Sequence, residues 1–134
     1  MTQYFFIGKS KIKQKPSKET QEDILEFAKL ITSLDKKELK YDDVWRCIYY
    51  YACYLSASKD SYVVEESKLP IYNELTQEIE DYEIMYAFNG PLTKKYLEEA
   101  SMNGDNIAKA LLALAPEFNM SFPTHYIDTY CRGF

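Results

Sequence analysis

The stretch PIYNELTQEIEDYEIMYAFNG, residues 70–90, decides how this chain is read. Its apolar members Ile71, Leu75, Ile79, Tyr82 and Tyr86 recur at helical spacing. Pro70 suits the first turn of a helix, and Asn89-Gly90-Pro91 is a stop signal. The spacing therefore predicts a helix from Pro70 to Asn89. Glu74, Glu78, Glu80, Asp81 and Glu83 crowd into ten positions of it, and no basic residue lies between Lys68 and Lys94. On a helix, Glu74, Glu78 and Asp81 follow i, i+4, i+7 and form one stripe, and like charges at that spacing cost stability. A stripe kept in spite of that cost serves solubility, or it is held negative to meet a positive partner, where complementarity raises association rate and specificity.

Working outward, charge is sorted along the whole chain. Residues 1–18 carry five lysines and no acid, whereas residues 60–93 carry eight acids and one lysine. Net charge is −5, and Arg46 and Arg132 are the two arginines. That balance argues against general affinity for nucleic acid or anionic membranes, which rests on Lys and Arg. The longest charge-free stretch, Cys47 to Ser58, is well short of the roughly 20 residues that cross a bilayer. The Tyr4-Phe5-Phe6-Ile7 run is too brief for a secretory signal, and its lysines follow it. Cytoplasmic residence is the expectation. At 134 residues with 46% apolar content, the chain reads as a single domain, residues 1–134, large enough for one core.

The other segments complete a mainly α expectation of five to six helices. Ser17 or Thr20 caps a helix over 18–34 that buries Ile24, Phe27, Ala28, Ile31 and Leu34. A second helix, about 40–58, has Val44, Ile48, Tyr51, Ala52 and Leu55 along one stripe. Trp45, Cys47, Tyr49, Tyr50, Cys53 and Tyr54 cover its other sides. A helix apolar all round is central, so the others should pack about it. Helices at 92–102 and 105–115 form a hairpin with Asn103-Gly104 as its turn, and Pro123 opens a last short helix toward Tyr130. A minor two-stranded element from 3–8 and 61–65 is the one β feature expected. Lys9, Lys11, Lys13 and Lys15 alternate, so an extended backbone puts all four on one face.

Chemistry is thinly supplied. The one histidine, His125, lies three residues before Asp128 and six before Cys131, spacing too loose to define a nucleophile and its base. Cys47, Cys53 and Cys131 leave one thiol unpaired in any scheme and form no C-x-x-C, so neither a disulfide framework nor a zinc site is indicated. No calcium loop or glycine-rich phosphate loop occurs, and no cofactor, metal or catalytic residue is expected. The helix 105–115 carries only Lys109 among leucines and alanines, which does not suit a DNA-recognition helix.

What remains distinctive is 13 tyrosines together with the acids, a combination suited to protein interfaces. The first expectation is a small acidic binding protein that neutralises a basic protein partner such as a toxin or a nucleic-acid enzyme, as immunity proteins and phage-encoded inhibitors do. Its partner-binding residues would be Glu74, Glu78, Glu80, Asp81, Glu83 and Tyr72. The alternative is a structural or assembly component of a phage or mobile element that acts through self-association, and an enzyme centred on His125 comes third.

Overall fold

The computed structural model describes residues 14–126. The expected strand at 3–8, Lys9, Lys11 and Lys13, and the Asp128, Tyr130 and Cys131 end of the last expected helix lie outside those residues.

Among the described residues, four α-helices form the body. Helix α1, Lys18–Ser33, is capped by Ser17, whose side chain accepts from the Thr20 backbone N–H, and it buries Ile24, Phe27, Ala28 and Ile31. A single 3-10 turn, Lys36–Glu38, leads to α2, Tyr41–Ser56. As its all-round apolar composition requires, α2 is the hub: it packs against α1, against α3 (Gly90–Met102) and against α4 (Asn106–Glu117). Val44, Cys47, Ile48, Tyr49, Ala52 and Cys53 on it are fully buried, and Trp45 is nearly so.

The tyrosine hydroxyls carried into this core find acceptors, which offsets a desolvation cost of about 1–3 kcal/mol each. Tyr51 donates to Asp105 Oδ2 at 2.5 Å, Tyr96 to the Ser61 carbonyl at 2.5 Å, and Tyr49 to the Pro123 carbonyl. Asp105 also caps α4, accepting from the N–H groups of Ile107 and Ala108. The α3–α4 turn closes at Gly104, whose φ of 93° is open to glycine at little cost.

The acidic segment corrects the five- to six-helix expectation. Residues 70–89 are not a helix. Val64–Tyr72 is strand β1 and Ile79–Phe88 is strand β2, paired antiparallel from Val64 opposite Phe88 to Tyr72 opposite Ile79. Glu80 is left over as a bulge, since Ile71 faces Asp81 and Tyr72 faces Ile79. Pro70, read as a helix start, sits in β1 opposite Tyr82; it is tolerated because β1 is the edge strand of the sheet order β1-β2-β3.

The turn explains why the chain reverses at 73–78. The Asn73 carboxamide oxygen accepts from the Leu75 and Thr76 N–H groups, and the Asn73 N–H donates to the Glu78 carbonyl at 2.8 Å. Gln77 takes a positive φ of 59° to close the loop.

Two smaller expectations change for related reasons. Val64 and Glu65 do belong to a strand, and among the described residues their partners are Phe88 and Ala87; the expected pairing with residues 3–8 lies outside those residues. The beginning of the last expected helix is instead β3, His125–Tyr126, which pairs with Ala87 and Phe88 and so extends the sheet only at its base. Asn89-Gly90-Pro91, expected to stop a helix, starts one: Asn89 caps α3 by accepting from Leu92 N–H, and Pro91 falls in its first turn. No helix among the described residues is long and apolar enough to cross a membrane.

Candidate functional site

The β1–β2 hairpin is joined to the body at one end only. At its base, Phe88 is fully buried with its ring centroid 5.2 Å from that of Tyr49, and Val64 is nearly buried. The Val63 N–H donates to Ser56 Oγ, the Asn89 N–H returns to the Val63 carbonyl, and the Asn89 amide donates to Glu65 Oε1 at 2.8 Å. Beyond this clamp, every residue of β1 from Glu65 to Tyr72 is exposed, as is β2 from Ile79 to Ile84. The strands pack chiefly on each other, and neither makes an extensive contact with a helix.

Because directly opposed residues of an antiparallel pair share a face, the register sorts the hairpin into two unlike sides. One side carries Glu66, Lys68, Pro70 and Tyr72 from β1 with Tyr86, Ile84, Tyr82 and Ile79 from β2. It continues an apolar stripe that begins in the core at Val64 and Phe88. Its acid and its lysine balance, so the side is neutral, and Tyr72 and Tyr82 are each 54% exposed. The other side carries Glu65, Asp81 and Glu83 among Ser67, Leu69, Ile71, Met85 and Ala87, with no basic residue.

Each residue expected to bind a partner lies on this hairpin and is exposed, but not as a helical stripe. Glu74 and Glu78 are in the turn. Glu80 is at the bulge, accepting from the Asn73 amide at 2.6 Å. Asp81 and Glu83 stand two residues apart on the acidic side, while Tyr72 faces the opposite way. Glu65, Glu66, Leu69 and Ile84, absent from the expected partner-binding set, are also exposed on the hairpin, Glu65 and Leu69 on the acidic side and Glu66 and Ile84 on the neutral one, while Leu75, expected on an apolar helical face, is exposed in the turn. Their signal was the alternation Tyr82, Ile84, Tyr86, Phe88, which has the two-residue period of a half-buried strand.

Among the described residues, whose side chains do not include those of His125, Asp128 and Cys131, the remaining candidate groups do not assemble into a reaction site. His125 contributes its backbone to the β2–β3 pairing. Burial pushes the Cys47 thiol far up and the Cys53 thiol up to about 12, the latter in contact with the Tyr62 hydroxyl. Both are therefore held protonated and away from reagents. An open cleft of about 360 Å³ lies where the end of α2 meets α1 and α3. Tyr54, Tyr96, Lys59 and Glu99 line it, with no nucleophile beside a base. Lys15, the one of the four alternating lysines within the described residues, donates to the Lys59 carbonyl at 2.6 Å. Comparison of the chain with family models, curated proteins and solved structures gives no match.

Proposed function

We propose that the chain is a binding protein that engages a basic protein partner through the acidic side and tip of the β1–β2 hairpin. One observation carries this reading: an arm exposed on both sides beyond its base bears seven acids, Glu65, Glu66, Glu74, Glu78, Glu80, Asp81 and Glu83, against the single Lys68. A field of one sign, held out from the body, attracts a cationic surface and speeds encounter more than it deepens affinity. The main-chain groups along the strand edges and the side chains Leu69 and Ile71 supply short-range contact once the charges have brought the surfaces together. A partner blocked in this way is inhibited by occlusion, which needs no catalytic group on the arm.

The test compares the wild-type chain with the triple variant Glu78→Lys, Asp81→Lys, Glu83→Lys as baits, followed by kinetics on the recovered partner. The expected partner is basic, is captured by the wild type alone, and loses on-rate by about 10-fold or more with the variant or with added salt. Equal association of the variant, or binding that ignores salt, would overturn the reading.

A further inference from the structure

We infer that the neutral, tyrosine-bearing side of the hairpin is covered by the same side of a second copy of this chain. This stands apart from the basic-partner reading, which uses the opposite side.

Three observations point to a second copy. The first is that a two-stranded hairpin with nothing packed on it is marginal in water, and this one runs well beyond the helices that support its base. Its apolar stripe starts in the core at Val64 and Phe88, then continues past Tyr86 to Ile84, Tyr82, Pro70 and Tyr72 with no cover among the described residues. The second is charge. Glu66 and Lys68 neighbour each other on this side and cancel, so the side is electrically self-complementary, and a two-fold pairing needs no oppositely charged partner. The acids of the other side would repel a copy, which selects this side for self-contact.

The third is area. Tyr72, Tyr82, Ile79 and Ile84 are each about half exposed, and with Pro70 and the visible part of Tyr86 they offer roughly 500 Å² per copy. A symmetric pair would then remove roughly 1,000 Å² from water, the lower bound for a specific interface. Such a dimer buries the tyrosine sides against each other and leaves both acidic sides and both tips outward, giving two equivalent acidic surfaces.

Sedimentation of the full chain over the micromolar range tests this. The expected wild-type mass is twice 15.7 kDa, falling toward the monomer on dilution. Tyr82→Lys with Ile84→Lys should raise the dimer dissociation constant about 100-fold or more, with the helical circular dichroism signal retained. Asp81→Lys with Glu83→Lys, on the opposite side, should leave the dimer intact. Should the Tyr82/Ile84 variant misfold, the milder Ile84→Thr is expected to weaken the dimer by about tenfold. A wild type that stays monomeric throughout overturns the inference and leaves this side to a different protein. So does a dimer insensitive to Tyr82 and Ile84, or one lost through Asp81 and Glu83.

Discussion

The helical body and the hairpin arm draw on the same residue types and use them in opposite ways. In the body, Tyr49, Tyr50 and Tyr51 are at most 2% exposed, and the Tyr49 and Tyr51 hydroxyls are placed on specific acceptors. On the arm, Tyr72 and Tyr82 stand more than half exposed on the neutral side. A tyrosine buries large area at low entropic cost and still carries a polar tip, so one residue type serves a core when its hydroxyl has an internal acceptor and an interface when it has none. The arm keeps apolar surface that the body would have buried, and a surface kept against the hydrophobic effect points to contact with another molecule.

If this division is real, damage to the body should be severe. Ile48 is fully buried at the centre of α2, and Ile48→Ala should cost about 2–5 kcal/mol in denaturant unfolding. An unchanged midpoint would mean that α2 is not the hub. The junction between the two regions should be nearly as sensitive. At Gly90, a Cβ would stand 2.0 Å from the Phe122 carbonyl oxygen and 2.6 Å from the Pro123 carbonyl carbon, both backbone atoms. Gly90→Ala should therefore cost about 1–3 kcal/mol or more by forcing the 122–123 segment away, and it should weaken the hold of Tyr49 on Pro123. A variant as stable as the wild type would show that the segment is free to move.

The buried thiols of the body give a pH test of the same contrast. Cys53 has an ordinary value of 9.0 and is pushed up to about 12 by burial, and Cys47 is raised by the same cause. The folded chain thus holds protons that the unfolded chain releases. Their contribution is complete below about pH 9 and is lost as pH rises toward 12, at on the order of 1 kcal/mol per pH unit for each thiol. Urea unfolding followed from neutral to alkaline pH should show this decline, and Cys53→Ala should make it shallower. A stability that stays level through that range would mean that the thiols are accessible to solvent.

The body was legible because its periodicity and its burial coincide. Ile24, Phe27, Ala28 and Ile31 mark α1, Ser17 marks its start, and the all-round apolar α2 is central as its composition requires. The arm was misread because Ile71, Leu75, Ile79, Tyr82 and Tyr86 fall by coincidence at helical intervals, although Leu75, in the middle of that series, is 94% exposed at the hairpin turn. Periodicity reports a structure only when one face is buried, and here most of the arm has no buried face. Local turn chemistry decides instead: Asn73 captures two backbone N–H groups and reverses the chain. The acids of the site were identifiable by composition, but their grouping depends on register, and the bulge at Glu80 sets which of them share a side with Asp81.

The smallest expected change to the body is also the sharpest test of the comparison. Replacing residues 69–83 by Asn-Gly would join Lys68 to Ile84, a pair already opposed in the register, through a two-residue turn suited to an antiparallel hairpin. The clamp formed by Val64, Phe88, Asn89 and Glu65 would remain. Since no helix packs extensively on the removed strands, thermal unfolding should shift by no more than a few degrees, on the order of 1 kcal/mol. The same variant should lose both association with a basic partner and the mass of a dimer, because the acidic tip and the tyrosine side go together. A collapse of the melting transition would place the arm within the cooperative core, and its exposed apolar residues would then require a structural account rather than a binding one.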